Sequence, residues 1–260
     1  MSLVLVEKHE GYAIVTLNRP DEMNALSSEL RRQFVEAFED CSRDENVRVI
    51  ILTGNGRAFC AGFDLKELGS DISEGAAEEV NNAMAWAMNA FDGPIIGAIN
   101  GHAITGGFEM ALACDVLIAS ENARFADTHA RVGILPGWGL SQKLPRMIGL
   151  SRAREISFTG APVFAQQAYE WGLVNHVYAP EDLLDKAVEM AENMCNCVPH
   201  ILKQYKALIE NGYSMPYKEA LAWEEEQAIA SAKEAFSSAV IASRREAVIE
   251  RGRSEKDKPR

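Results

Sequence analysis

The 260-residue sequence lacks several features that would assign it to a common class of protein. It contains no apolar run approaching the length of a membrane-spanning helix. Residues 1–8 carry no basic segment followed by an apolar stretch, so we expect no secretory signal. The five cysteines are odd in number and scattered, and Cys195 and Cys197 stand at neither a zinc nor a redox spacing. We therefore expect reduced thiols and a cytoplasmic protein.

An excess of basic residues is also missing. The 26 Lys and Arg residues are outnumbered by 38 Asp and Glu residues, which gives a formal net charge of −12. This balance argues against a broad surface for nucleic acid or anionic membranes, although a few local cations could still hold one polyanionic ligand. There is no Gly-Lys-Ser/Thr segment and no G-x-G-x-x-G, so a nucleotide-hydrolysing phosphate loop is a poor fit. The histidines show no metal spacing, and we expect no metal.

What is present is an alternation of strand-like and helix-like segments. Residues 3–6 and 13–17 predict a hairpin that turns at Gly11. The segments 47–53, 94–99 and 115–119 predict buried strands. Helices are predicted at 75–91 and 106–113, and an earlier helix is indicated by apolar residues at helical spacing with Ser27 or Ser28 as its cap. Residues 54–73 are expected to be rich in loops. Short links between strand and helix favour crossover connections and a parallel sheet, hence an α/β fold.

The pattern changes toward the carboxyl end. Beyond residue 124 the chain is irregular, and helices are then predicted at 140–148, 151–158 and 165–170, followed by a strand at 173–177. From residue 181 onward nearly everything is helical, with segments at 181–196, 199–211, 216–231 and 233–249, while residues 250–260 are expected to fray. We place one internal boundary near residue 198. The region 199–260 is apolar enough to need a surface to cover, either the core or another subunit.

Two glycine-containing turns stand out, Phe59–Leu65 and Asn100–Glu109. Gly62 would let the backbone turn so that the Phe63 N–H points into a cavity, although an ordinary strand-to-helix turn explains it equally well. The N–H of Gly106 would lie at a helix N-terminus, an end that suits an oxyanion. Tight packing of helix on strand is the alternative explanation for the paired glycines of the second turn.

Two titratable residues are candidates for acid–base chemistry. Glu109 lies in the first turn of the predicted helix, where the dipole favours a carboxylate anyway, but its immediate neighbours are apolar. His129 has a side chain that titrates near neutral pH, although a lone histidine is more often structural. Together with the glycine turns, these residues indicate acyl-group chemistry with an oxyanion hole.

The same segments resemble the motifs of the crotonase, or enoyl-CoA hydratase/isomerase, family. The matching motifs follow one another in the family's order: Arg19–Leu26, Phe59–Lys66, Ala98–Glu109, Cys114-Asp115, Phe125, Gly133–Gly137, Thr159-Gly160, Ala165, Ala168 and Gly172–Asn175. The resemblance implies a crotonase-like spiral of ββα units in residues 1–198, with an acyl-CoA site. It also implies a helical trimerisation region in residues 199–260, so that the chain would form a homotrimer or a dimer of trimers.

The resemblance further implies which residues form the site. The substrate would be a coenzyme A thioester, so that coenzyme A arrives with the substrate and no separate cofactor is expected. The N–H groups of Phe63 and Gly106 match the two oxyanion donors, and Glu109 matches the first catalytic glutamate. Two segments match those that bind coenzyme A, largely through backbone: Met23, Asn24, Ala25 and Leu26, and Ala61, Gly62, Asp64 and Leu65.

Two departures from the family pattern bear on the reaction. His129 stands where hydratases of the family have their second glutamate. The tail from Ile249 to Pro259 differs from the usual segment, so the lysine or arginine that would bind the coenzyme A phosphates is not identified. We predict the addition of water to a 2-enoyl-CoA, with isomerisation of a 3-enoyl-CoA, thioester hydrolysis, decarboxylation, or silent binding of acyl-CoA as the alternatives.

Overall fold

The computed structural model describes residues 2–68 and 76–235, together with Arg245 and Ile249. The chain divides into two compact units, Met1–Lys203 and Gln204–Arg260. The strands are β1 Val4–Lys8, β2 Tyr12–Leu17, β3 Val49–Gly54, β4 Ala58–Cys60, β5 Ile95–Ile99, β6 His102–Ile104, β7 Val116–Ser120, β8 Arg124–Ala126, β9 Val163–Phe164 and β10 His176–Tyr178. The helices are α1 Ser28–Arg43, α2 Leu65–Leu68, α3 Ala76–Ala90, α4 Gly106–Leu112, α5 His129–Val132, α6 Leu140–Ile148, α7 Leu150–Thr159, α8 Ala165–Glu170, α9 Leu183–Cys195, α10 Pro199–Ser214 and α11 Tyr217–Ala235.

The amino-terminal elements follow the sequence prediction. β1 and β2 form an antiparallel hairpin, and Gly11 at the turn has a φ of +89° that favours glycine. The hydroxyl of Ser27 caps α1 by accepting a hydrogen bond of 3.2 Å from the Leu30 N–H. The buried face of α1 includes Phe34 and Phe38, whose rings stack at 4.5 Å. The helical spacing of apolar residues therefore did identify a core-facing helix.

A six-stranded sheet forms the centre of the first unit, in the order β1-β2-β3-β5-β7-β10. From β2 onward each neighbouring pair is parallel, as the predicted crossovers require. All residues of β3 and β5 are buried, because one face is covered by α9 and the other packs into the main core.

A second sheet, in the order β4-β6-β8-β9, was not predicted from the residue pattern, although the ββα units that the resemblance implies contain its strands. The expectation of a loop-rich segment at 54–73 is wrong at β4 and α2, and residues 69–73 lie outside the described residues. The strands of this sheet have two or three residues each, which is too short for a periodic pattern to be recognised. Each of β3, β5 and β7 is followed directly by β4, β6 and β8, respectively, and then by helix. This threefold repetition is the spiral of ββα units.

The pairing of the second sheet determines where the functional residues lie. β4 pairs in parallel with β6, and β6 pairs in parallel with β8. The carboxyl ends of these three strands therefore lie side by side at one edge. The turns that follow them, near residues 61–64, 105–109 and 127–129, meet at that edge. In open α/β sheets, this end of the strands is where ligands usually bind.

Toward the carboxyl end, the bounds of the last strand need correction, and the last predicted helix lies mostly beyond the described residues. The last strand is His176–Tyr178 rather than 173–177, since Leu173 and Val174 form a buried turn before it. The predicted helix at 233–249 and the tail at 250–260 lie almost entirely outside the described residues. No described helix is both long and apolar enough to cross a membrane.

The second unit contains the end of α10 and α11. These helices expose large apolar side chains, namely Tyr205, Ile209, Tyr213, Tyr217, Leu221 and Ile229. The prediction that residues 199–260 form an oligomerisation region is consistent with these exposed side chains but stays a prediction.

Candidate active site

The two glycine-containing turns contact each other at the edge of the second sheet. A Cβ atom added to Gly62 would lie 2.8 Å from the carbonyl oxygen of Ile104 and 3.2 Å from the Gly106 nitrogen. A Cβ atom added to Gly106 would lie 3.3 Å from the Phe63 ring. Gly62 has a φ of +87°, so glycine there provides both the backbone conformation and the space. The turns are therefore in van der Waals contact, with Phe63 and Gly106 on facing sides.

The main-chain amides of Phe63 and Gly106 lack main-chain hydrogen-bond partners within the described part of the chain. Among the described residues, neither N–H donates a hydrogen bond to another main-chain group. The amides around Phe63 do so: the Ala61 N–H donates to Met23 at 3.0 Å and the Asp64 N–H donates to Leu26 at 3.4 Å. Since backbone donors that remain unpaired are unusual, the two amides are candidates for binding a ligand atom.

The second turn is held by a strained residue rather than by its glycines. Thr105 has φ +54° and ψ −111°, a conformation that non-glycine residues rarely adopt. Its N–H donates to the Ala126 carbonyl at 2.9 Å, and its hydroxyl lies 2.5 Å from the hydroxyl of Thr128. Gly107 serves packing, because a Cβ atom there would lie 2.1 Å from the Cys60 carbonyl oxygen. The packing explanation thus holds for Gly107, while Gly106 faces Phe63.

Glu109 is a buried carboxylate that is enclosed by the irregular loop before α6. Glu109 is only 2% exposed. Oε1 accepts hydrogen bonds from the Trp138 N–H at 2.7 Å and the Leu140 N–H at 3.4 Å. The Trp138 ring in turn lies 5.5 Å from the Phe63 ring. The loop therefore orients Glu109 and packs against Phe63 of the first glycine-containing turn.

His129 lies directly beside Glu109, at the start of α5. The Nε2 atom of His129 is 3.4 Å from Oε2 of Glu109, and its Nδ1 atom is 2.6 Å from Oδ1 of Asp127. The main-chain N–H of His129 also donates to Asp127, at 3.1 Å. All three residues are at most 4% exposed. The structure thus brings together the two candidate acid–base residues and adds Asp127, which the sequence analysis did not single out.

The charges of this cluster are set by its geometry. Burial lowers the pKa of His129, but the hydrogen bonds and charges of Asp127 and Glu109 outweigh this effect and raise the pKa to about 9. Burial raises the pKa of Asp127, but hydrogen bonds from His129 and Ser157 outweigh it, so that the pKa lies below its ordinary value. His129 is therefore an imidazolium at neutral pH, between two carboxylates.

A pocket of about 380 Å³ opens beside the two turns. It is lined by Asp21, Glu22, Met23, Ala25, Arg57, Ala61, Phe63, Asp64, Leu65, Lys66, Thr105, Thr128, Val132 and Ile134. Six of the residues that the sequence analysis assigned to the site are among them. No group of His, Cys, Asp or Glu side chains in the described ranges is placed to hold a metal ion.

The side chains of some residues assigned to coenzyme A binding also have a structural part. Asn24 is fully buried, and its side chain donates to the Ala58 carbonyl at 2.7 Å and accepts from the Arg19 N–H at 2.8 Å. Leu26 is a core residue that is 1% exposed. The carboxylate of Asp64 pairs with Arg19 at 2.6 Å beside the pocket, which lowers its pKa. The separation of 45 residues between Arg19 and Asp64 left no local signal for this ion pair in the sequence.

Comparison with known proteins agrees with this fold. The model of the enoyl-CoA hydratase/isomerase family matches residues 7–250. The chain is 44% identical over 228 residues to a probable peroxisomal enoyl-CoA hydratase 1 of Arabidopsis thaliana, covering 87% of this chain and 86% of that one. An enoyl-CoA hydratase subunit I of Geobacillus kaustophilus superimposes with a TM-score of 0.83 at 34% identity, covering 100% and 97% of the two chains.

A second similar structure is described as an isomerase rather than a hydratase. A monofunctional enoyl-CoA isomerase of M. smegmatis has a TM-score of 0.74 at 37% identity and covers 84% of this chain and 97% of its own. From the family match and these relatives, the chain belongs to the enoyl-CoA hydratase/isomerase family, also called the crotonase family, and has its fold. Family membership alone does not choose between hydration and isomerisation, which depends on the site.

Proposed function

We propose that this protein is an enoyl-CoA hydratase, which adds water across the 2,3 double bond of a 2-enoyl-CoA thioester. The thioester carbonyl oxygen accepts hydrogen bonds from the N–H groups of Phe63 and Gly106. Polarisation of the carbonyl makes C3 electrophilic and stabilises the enolate that forms when water adds. Losing one oxyanion donor typically costs roughly 3–4 kcal/mol of barrier, so this pair supplies a large part of catalysis.

Glu109 and His129 divide the two proton transfers of the reaction. Glu109 takes a proton from water as its oxygen bonds to C3, and the electrons of the double bond move onto the thioester oxygen. The His129 imidazolium then donates its Nε2 proton to C2, which restores the carbonyl. Direct transfer of the proton from Glu109 back to His129, across the 3.4 Å between them, returns the site to its starting charges.

The single observation that supports this proposal most strongly is the pairing of two acid–base groups beside two unpaired amides. Isomerisation of a 3-enoyl-CoA needs one base that moves a proton from C2 to C4. Hydration needs a base for water and an acid for C2, and the contact between Glu109 and His129 supplies both. A protonated histidine here takes the part that the second glutamate has in the hydratases which the sequence resembles.

A panel of thioesters tests the proposal. The protein is mixed with a 2-enoyl-CoA, a 3-enoyl-CoA and a 3-hydroxyacyl-CoA of the same chain length, and the conjugated thioester absorbance is followed while products are separated by chromatography. We expect loss of the 2-enoyl absorbance, formation of the 3-hydroxyacyl product, and the reverse reaction from that product. Turnover of the 3-enoyl-CoA without hydration identifies an isomerase, release of free coenzyme A a hydrolase, and binding without turnover a silent protein.

Three further aspects belong to the same proposal. The coenzyme A part of the substrate lies along the pocket formed by residues of the 21–25 and 61–66 segments. The exposed apolar side chains of α10 and α11 support assembly into a homotrimer or a dimer of trimers, which light scattering at several concentrations would test. The cytoplasmic location stays a prediction, since the Arabidopsis relative is named as peroxisomal.

A further inference from the structure

Asp127 belongs to no motif that the family resemblance assigned, yet it makes the shortest contact of the buried cluster. We propose that Asp127 is a positioning residue, which acts through His129 by holding Nδ1–H and so directing the Nε2 proton toward Glu109 and the substrate. This proposal rests on the proposed function for its catalytic meaning, but the contact itself is a property of the folded chain. Asp127, like Glu109 and His129, is not among the residues that line the pocket, and its contact within the cluster is with the His129 ring.

The geometry dictates the protonation of the ring. Nδ1 faces a carboxylate oxygen at 2.6 Å and Nε2 faces another at 3.4 Å. A neutral imidazole has only one N–H, and only the imidazolium donates at both nitrogens. When the ring gives up one proton, the shorter contact to Asp127 retains the proton on Nδ1. The proton that leaves is therefore the one on Nε2, the nitrogen that faces Glu109.

Two further neighbours act on the carboxyl group of Asp127 besides the His129 ring. Asp127 directly follows β8, and its Oδ1 atom also accepts the main-chain N–H of His129 at 3.1 Å. The side chain of Ser157 on α7 helps to lower the pKa of the same carboxyl group. The charged groups that face the His129 ring are Asp127 from the end of β8 and Glu109 from α4. Arg131, on the same short helix, donates to the Thr159 carbonyl.

Two measurements test the proposal on the whole protein. The His129 ring is titrated by nitrogen-15 NMR, with its signals assigned by their loss in His129→Gln. In the wild-type protein the neutral form at high pH should be protonated at Nδ1. In Asp127→Asn the titration midpoint should move down toward the ordinary histidine pKa of about 6.5. Asp115→Asn is the matched control, because Asp115 also accepts a main-chain hydrogen bond, from the Ile95 N–H at 2.7 Å at the amino end of β7. The titration midpoint of the His129 ring in this variant should equal that of the wild type.

Turnover supplies the second measurement. The kcat of Asp127→Asn should fall about 10- to 100-fold, the range for groups that orient another residue, and the basic limb of the kcat profile should move to lower pH. Neutral His129 carrying its proton on Nε2 in the wild type, or an unchanged midpoint in folded Asp127→Asn, would overturn the assignment. If Asp127→Asn does not fold, the proposal is decided by the tautomer of neutral His129 in the wild-type protein. A shifted midpoint in a protein that hydrates no 2-enoyl-CoA would leave the positioning role standing and reject the proposed function instead.

Discussion

The two halves of the candidate site are built in different ways. Phe63 and Gly106 reach it through main-chain amides at the ends of two paired strands. Glu109 and His129 reach it through side chains whose charges balance one another. The first half depends on backbone conformation, and the second on protonation. The two halves should therefore fail under different changes, which makes the comparison testable.

The largest effect is expected in the half built from side chains. Replacing Glu109→Gln keeps an acceptor for the Trp138 N–H but removes the base, so hydration should fall by about 10²- to 10⁴-fold. The rate is measured from loss of the conjugated 2-enoyl thioester absorbance. Binding of a saturated acyl-CoA, measured by calorimetry, should stay close to that of the wild type because the pocket lining is unchanged.

Glu121→Gln serves as the control for this change. Glu121 is exposed and lies in the turn between β7 and β8, so its replacement should alter neither rate nor binding. Hydration by Glu109→Gln at the wild-type rate would remove Glu109 from the role of base.

A somewhat smaller effect is expected in the half built from main chain. Gly62→Ala places a Cβ atom 2.8 Å from the Ile104 carbonyl oxygen at a φ of +87°, so the first turn must shift away from the second. Displacing one oxyanion donor should lower kcat by about 10²- to 10³-fold. The strained backbone should also lower the free energy of unfolding by roughly 1–3 kcal/mol.

Gly172→Ala separates these two consequences. Gly172 has a φ of +76°, but a Cβ atom there meets nothing within 4 Å, so this variant introduces strain without a clash at the site. It should lose stability and keep its kcat. The kcat values of Gly62→Ala and Gly172→Ala are measured at a temperature where both variants are folded. Equal losses of kcat would show that the contact between the turns is irrelevant to turnover.

The same contrast explains what the sequence could predict. The two glycine-containing turns were singled out because glycine at 62 and 106 follows strand-like segments, and the helical spacing of α1 was clear over 16 residues. The second sheet was missed because strands such as Ala58–Cys60 and His102–Ile104 are too short to show a period. Yet the parallel pairing of these strands is what brings the turns together. Sequence therefore identified the residues of the main-chain half without the element that joins them.

The acid–base half was predictable only in part. Glu109 stood out as a carboxylate among apolar neighbours, whereas His129 was noted without a partner. A local signal for that partner existed, since Asp127 is two residues away at the end of a strand. Nothing in the sequence showed that the loop before α6 would bring the Trp138 N–H onto Glu109, because that contact joins residues 29 positions apart. Charge balance between distant side chains emerges only when the fold is complete.

The last expected effect concerns stability rather than rate, and it separates the two halves by pH. The pKa of His129 is raised from 6.5 to about 9, so the folded state binds this proton more tightly than the unfolded chain does. The resulting stabilisation is fully present below pH 6.5 and is lost as the pH rises through about 9. Denaturant unfolding of the wild type and His129→Gln, measured from pH 6 to 9.5, should therefore give a difference that shrinks with rising pH. Gly62→Ala should instead differ from the wild type by a constant amount, because its cost is conformational. A difference between the wild type and His129→Gln that stays flat over this range would mean that charge does not hold the acid–base half together.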